Sequence, residues 1–141
     1  MSDDSFQLQR FTAAQAGVYE QALAEIRKGQ KEGHWMWFIF PQLDGLGRSE
    51  TARFYAIKSA AEAAAYLAHP VLGPRLIECA QALLAVQGKS AREILGSPDH
   101  MKLRSCMTLF AAASPACPEF NQVLARYYQS EPDPQTLRLL A

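Results

Sequence analysis

The sequence predicts one all-α domain of about six to eight helices packed around a Trp/Phe-rich buried segment. Helix-start and helix-stop signals recur along the chain, joined by short Gly/Pro links. Apolar residues between these signals repeat at three- and four-residue spacing, and no stretch alternates clearly as a strand does. The 141 residues, 49% hydrophobic and 20% charged, suit a single folded core that spans 1–141.

The first helical face lies in the N-terminal quarter, after a loose tail over residues 1–6. The spacing of its residues fits either one helix or two helices that meet near Gly17. Gly29 is a natural stop because Arg27 and Lys28 place cations in the last turn, where the helix dipole favours them. The face consists of Phe11, Gln15, Tyr19, Ala22, Leu23 and Ile26.

Later helices are marked by their first residues. Ser59 with Glu62, and Ser90 with Glu93, have the spacing of a capping box. The first of these helices stops at His69. Proline marks the other predicted helix starts, in two cases with a capping Ser or Asp just before it. These starts are Pro70 or Pro74, Ser97-Pro98-Asp99, Pro118 and Asp133-Pro134.

Residues 33–42 are apolar all round, so periodicity does not separate helix from strand; we favour a short buried helix. One interpretation makes this segment the central core element, since aromatic rings bury large areas. The other makes it an aromatic-walled pocket with Trp35 and Trp37 as the floor and His34 and Gln42 as polar ends.

Two nearby groups could contact an anion. Lys31 either holds an anion near the aromatic segment or is simply solvated. Gly45, Gly47 and Arg48 precede Ser49, which resembles a helix N-cap. A Gly-rich loop that enters a helix offers free amides for an anion, although an ordinary turn with an N-cap explains the same residues.

A third group lies on the helix that starts at Asp99. Asp99 and Lys102 are spaced to pair, and Lys102 and Ser105 form either a polar wall of a cavity or a solvated face. If the protein is an enzyme, the candidate general acids or bases are His34, Glu50 and Asp99.

Composition narrows the class of partner. Lys plus Arg equals Asp plus Glu, at 14 each, which argues against nucleic-acid binding. No secretory signal or membrane-length apolar run is seen, so we expect a cytoplasmic protein, a monomer or weak homodimer, without membrane contact. Cys79, Cys106 and Cys117 form no ligand motif, and we expect no metal and no cofactor.

Several segments together resemble one known family. His34-Trp-Met-Trp-Phe-Ile-Phe-Pro-Gln-Leu43 is similar to the bacterial domain of unknown function 1810, and the resemblance extends over about residues 7–140. It implies a compact all-α domain and no established activity. Some members are labelled calpastatin, whose inhibitory regions are long, disordered and repetitive, unlike this chain. Further matching segments are Tyr19–Gly29, Gly45–Ser49, Tyr55–Ile57, His69–Leu76, Ser97–Asp99, Lys102-Leu103, Ser105 and Met107–Phe110.

A weaker resemblance is to the NADAR family, through the Gly-rich loop, Ser49-Glu50, Tyr55, Met107 and Phe110. It implies an ADP-ribose-type or related N-glycosidic substrate, with Glu50 as the nearest acid by position.

Three functions follow. The leading one is binding of a small anionic or nucleotide-like molecule in an aromatic pocket. The alternatives are a hydrolase of an N-glycosidic or ADP-ribose-type metabolite, and a non-catalytic protein-interaction module. The pocket hypothesis expects His34, Arg48 and Lys102 to converge on one cavity.

Overall fold

The computed structural model describes residues 4–141 and contains ten α-helices and no strand within them. Seven helices have seven or more residues, and the other three have four or five, which is why the count exceeds six to eight. The all-α prediction is confirmed. The helices are α1 (Gln9–Gln15), α2 (Tyr19–Lys28), α3 (Met36–Ile39), α4 (Glu50–Phe54), α5 (Ala60–Ala68), α6 (Leu72–Ala85), α7 (Ala91–Leu95), α8 (Asp99–Ala113), α9 (Pro118–Tyr128) and α10 (Pro134–Leu140).

The N-terminal face is split into two helices. Gly17, with a φ of 76°, separates α1 from α2. Gly29 ends α2 in the left-handed conformation, with a φ of 81°, and its N–H donates to the carbonyl oxygens of Glu25 and Ile26. Glycine adopts this conformation without the steric penalty that a Cβ brings.

The N-terminal residues are tied to α1. The Asp4 carboxylate accepts from the N–H of Leu8 at 2.6 Å and of Gln9 at 3.2 Å. The Asp4 carboxylate thus satisfies N–H groups at the start of α1. The loose tail over residues 1–6 stays a prediction. Residues 1–3 lie outside the described residues.

Side-chain caps start several helices as predicted. The capping box is complete at Ser90, whose N–H donates to Glu93 at 2.8 Å. At Ser59 the box is incomplete, because Glu62 accepts from the N–H of Lys58 instead. In four helices the side-chain oxygen of the N-cap residue accepts from the backbone N–H three residues further along the chain. These N-cap residues are Ser49, Ser59, Ser90 and Asp133.

The prediction that Ser97 caps a helix is wrong. Helix α8 begins at Asp99 with Pro98 as the N-cap residue, and no side chain caps it there. The first backbone N–H groups of α8 find acceptors just before the helix. The N–H of His100 donates to the Gly96 carbonyl at 2.9 Å, and the N–H of Met101 donates to the Pro98 carbonyl at 2.9 Å.

The core is organised around α8, which packs against α5, α7, α9 and α10. A row of aromatic rings runs through it. Phe11 meets Tyr66 edge-on at 5.1 Å, Tyr66 lies 5.3 Å from Phe110, and Phe110 lies 5.9 Å from Phe120. These side chains are fully buried, so the row links α1, α5, α8 and α9.

The Trp-rich segment contains the short helix α3, flanked on both sides by non-helical residues. Trp35 and Phe40 are fully buried, and their ring centroids lie 6.3 Å apart. Trp37 and Phe38 are only half-buried. The segment therefore adds to the core on one side and reaches the surface on the other.

Residues 44–56, which include α4, form a loop whose two ends are joined by backbone hydrogen bonds. The N–H of Asp44 donates to the Ile57 carbonyl at 2.7 Å, and the N–H of Ile57 donates to the Gln42 carbonyl at 2.8 Å. An isolated parallel bridge thus joins Leu43 to Ile57. Compact loops with adjoining ends are frequent carriers of functional groups.

We expect Gly73→Ala to destabilise the protein by about 3 kcal/mol, although alanine is the better helix former. A Cβ on Gly73 would lie 2.0 Å from the carbonyl oxygen of Leu67, a backbone atom of α5. This clash can be relieved only if α5 moves away from α6.

The matched variant is Gly88→Ala. No atom lies within 4 Å of a Cβ built there, so only the strain of its φ of 74° remains, worth about 1 kcal/mol. Urea unfolding of both variants measures the difference. Equal destabilisation would show that the α5–α6 approach imposes no steric limit.

Candidate functional site

A buried carboxylate joins α2 to the chain that follows it. Oε1 of Glu25 accepts from the N–H of Glu32 at 2.8 Å, the N–H of Gly33 at 2.9 Å and the indole N–H of Trp35 at 2.8 Å. Oε2 accepts from the Gln21 amide at 2.9 Å. Four donors thus converge on one side chain that is 5% exposed.

The charge of Glu25 is stabilised by these donors. Burial by itself pushes the pKa of Glu25 upwards, because it penalises the charged form. The N–H groups of Gly33 and Glu32, followed by the side chains of Gln21 and Trp35, outweigh burial and lower the pKa to about 2. Glu25 is therefore a carboxylate throughout the physiological pH range.

Two lysines share a single aspartate beside this segment. Nζ of Lys31 lies 2.9 Å from Asp99 Oδ2, and Nζ of Lys102 lies 3.3 Å from Asp99 Oδ1. The side chains of Lys31, Asp99 and Lys102 are only 10%, 18% and 25% exposed. Lys31 also donates to the Gly33 carbonyl at 2.6 Å.

Both ammonium groups lie over indole rings. Nζ of Lys31 is 5.1 Å from the ring centroid of Trp35, and Nζ of Lys102 is 4.8 Å from that of Trp37. Such contacts are favourable cation–π interactions. We call Lys31, Trp37, Asp99 and Lys102 the two-lysine site. Trp35 lies beneath it and is 1% exposed, so it supports the site and is not an open pocket floor.

His34 and Gln42 are placed differently from each other. His34 is exposed, and within residues 4–141 no hydrogen bond, ion pair or ring contact joins it to Lys102. Gln42 is half-buried, and its carbonyl belongs to the bridge with Ile57. Among the hydrogen bonds, ion pairs and ring contacts of residues 4–141, none joins His34 to Gln42.

The Gly-rich loop makes an exposed turn that enters α4. Arg48, Ser49 and Glu50 are exposed, and the Ser49 hydroxyl accepts from the N–H of Ala52 at 3.1 Å. A Cβ on Gly47 would meet the Cβ of Ala52 at 2.5 Å, so this position needs glycine for a close approach. The N-cap interpretation of Ser49 is confirmed.

Gly45 has a different reason for being glycine. Its φ of 101° is one that other residues rarely adopt, and a Cβ there would lie 3.4 Å from Leu139. Among the hydrogen bonds, ion pairs and ring contacts of the described residues, none links the Gly-rich loop to the two-lysine site.

Helix α8 presents its predicted polar residues to two different neighbours. Lys102 turns to Asp99 and Trp37, whereas the Ser105 hydroxyl lies 3.3 Å from both the Met101 carbonyl and Asp133 Oδ2. Asp133 caps α10. Ser105 therefore ties α8 to α10 and does not line the two-lysine site.

Sequence reasoning missed Glu25, although a signal exists. Glu25 follows Ala22 by three residues and precedes Ile26, both of which are buried on the same helix. A carboxylate at the edge of an apolar face needs donors when it is buried. The donors come from the residues just after the helix, which periodicity does not reveal.

Within residues 4–141, no group of three or more His, Cys, Asp or Glu side chains is arranged to hold a metal ion. The three cysteines are free thiols. Burial raises the pKa of the Cys79 thiol to about 12, so little reactive thiolate forms there. No helix in the described part of the chain has the length and apolarity of a membrane span.

A family model described as a protein of unknown function (DUF1810) matches residues 5–140. The chain belongs to this family. The resemblance carried by the Trp-rich segment is thus confirmed. A crystal structure of the conserved hypothetical protein Rv1873 from Mycobacterium tuberculosis is 53% identical and superimposes with a TM-score of 0.96, covering 97% of this chain and 98% of that one. No curated protein matches this chain.

We expect Glu25→Gln to destabilise the protein by about 2–3 kcal/mol at neutral pH, because the charged acceptor of four donors is lost. The folded-state pKa of Glu25, about 2, lies below its ordinary value of 4.5. This contribution is therefore fully present above pH 4.5 and is lost as the pH falls through 2.

Urea unfolding of both proteins, from neutral pH down to about pH 2, measures the difference. The control is Glu32→Gln, which changes a side chain that is 57% exposed in the same segment. A stability gap between wild type and Glu25→Gln that stays constant across this range would contradict the assignment.

Proposed function

We propose that the protein binds a small anionic, nucleotide-like ligand at the two-lysine site. The observation that carries this proposal is the ion pairing: two ammonium groups, on side chains 10% and 25% exposed, share the one carboxylate of Asp99, while the Glu25 carboxylate accepts N–H groups of its own. Partly buried charges are screened less than surface charges, so the ammonium group of Lys102 favours an incoming anion.

The two lysines differ in what they can offer a ligand. Lys31 is the more buried and also donates to the Gly33 carbonyl, so it mainly holds Asp99 in place. Lys102 is more exposed and lies farther from the carboxylate. Its ammonium group is the better donor to a phosphate or carboxylate oxygen, which it binds as a compact charge.

The neighbouring ring supports a nucleotide-like ligand. Trp37 is half-buried and lies directly under the Lys102 ammonium group. An aromatic surface beside a few polar groups is the usual composition of a small-molecule site. A planar base could pack on the exposed part of the indole while its phosphate neutralises Lys102.

The same geometry favours binding over catalysis. Asp99 is held by two cations, while His34 and Glu50 are exposed and have no described contact with the two-lysine site. A general acid or base needs to reach the reacting group together with its partners. The hydrolase and the interaction module stay predictions, as do the NADAR resemblance, the cytoplasmic location and the oligomeric state.

We expect AMP, ADP-ribose or inorganic phosphate to change the tryptophan fluorescence and raise the melting temperature. Lys102→Met should weaken binding about tenfold, because a hydrogen bond to a charged donor is lost. Trp37→Phe should remove most of the fluorescence response, since Trp35 is buried beneath the site.

The matched control is Lys28→Met, which removes a lysine 53% exposed and 3.1 Å from Glu32. It should leave the affinity for these three ligands unchanged. If none of them alters fluorescence or stability, or if Lys28→Met weakens binding as much as Lys102→Met does, the two-lysine site is not the binding site.

A further inference from the structure

A cavity of about 370 Å³ has a lining that shares no residue with the two-lysine site. It opens between the residues that precede α1, the first turns of α1, the end of α4 and the start of α5. Its volume falls within the range of small-molecule sites, about 300–1,000 Å³. Its lining includes Phe6, Gln7, Arg10, Phe54, Lys58 and Glu62.

Arg10 forms a fixed cationic wall of this cavity. Its side chain is 10% exposed. Nη1 donates to the carbonyls of Phe6 at 2.6 Å and Gln7 at 3.0 Å, and Nη2 donates to the carbonyl of Ala56 at 2.9 Å and to Glu62 at 2.6 Å. The remaining donor, Nε, is buried and has no partner within residues 4–141. Such a donor is costly to leave unmatched.

The second cation, Lys58, is much more exposed than Arg10. Lys58 is 55% exposed, donates to the Arg53 carbonyl at 3.2 Å and lies 3.8 Å from Asp44. An exposed pair at that distance contributes little and exchanges readily. Glu62, 2% exposed, is already used by Arg10 and by the N–H of Lys58. Within the lining Glu62 neutralises Arg10, so Lys58 has only the carboxylate of Asp44, at 3.8 Å, as its partner.

Two exposed phenylalanines share this cavity. Phe54 is 57% exposed and Phe6 is 37% exposed, whereas the other twelve aromatic side chains are buried or half-buried. Phe54 is fixed edge-on against Tyr55 at 4.8 Å. Water contact with both rings would be reduced by a planar apolar group placed beside them.

We propose that this cavity binds a small aromatic monocarboxylate. The aromatic ring of the ligand packs beside Phe6 and Phe54, and its carboxylate neutralises the ammonium group of Lys58 next to the Arg10 wall. The carboxylate of the ligand replaces that of Asp44 as the partner of Lys58. This site shares no residue with the two-lysine site.

Benzoate titration of the full chain, followed by ¹H–¹⁵N NMR, tests the proposal. Amides of residues 5–10 and 54–62 should shift and saturate. Phe54→Ala should weaken binding about fivefold through the lost ring contact, and Lys58→Met should weaken it about tenfold through the lost charge. Both side chains are more than half exposed, so the fold should persist.

Three controls separate this site from the first. Lys28→Met removes a lysine that is 53% exposed and also ion-paired, and it should not change benzoate affinity. Lys102→Met should likewise leave intact the benzoate affinity that the amides of residues 5–10 and 54–62 report. Benzyl alcohol, which has the ring without the charge, should bind more weakly than benzoate. Absence of saturable shifts, equal binding of benzyl alcohol, or full affinity in Phe54→Ala and Lys58→Met would overturn the proposal.

Discussion

The carboxylate of Glu25 accepts three N–H groups from the ten residues that follow it, and this interaction fixes how the chain leaves α2. Because the indole N–H of Trp35 is one of the three, the bulkiest core side chain is oriented by a charge and not by packing alone. The fully buried Trp35 is also the N-cap residue of α3. Removing the acceptor would leave buried donors unmatched, which is more costly than losing a surface contact.

The position of the two-lysine site follows from this arrangement. Once Gly33 is held by Glu25, its carbonyl is available to Lys31, whose ammonium group then reaches Asp99 at the start of α8. Asp99 also holds Lys102 over Trp37. Helix α8 is packed on several sides by other helices, so the site joins a rigid element to the aromatic segment. Rigid support of this kind is what positions binding groups accurately.

Local signals in the sequence predicted most of the helices, because caps, glycine stops and apolar spacing act over a few residues. They failed at Ser97, where Pro98 replaces the expected cap. For the site, the i,i+3 spacing of Asp99 and Lys102 predicted one ion pair. The contact of Asp99 with Lys31 depends on tertiary packing that spacing does not encode. Ser105 shares the helix with Lys102 but turns to α10, since both sides of α8 are covered.

Hydrogen exchange of the two indole N–H groups tests the central role of Glu25 most directly. The Trp35 N–H donates to Glu25 in the core, whereas the half-buried Trp37 has no hydrogen-bond partner within the described residues. We expect the Trp35 proton to exchange at least about 100-fold more slowly and only when the protein unfolds globally. Equal exchange rates for both indoles would contradict the account, because the Glu25 carboxylate would then not hold the segment in place.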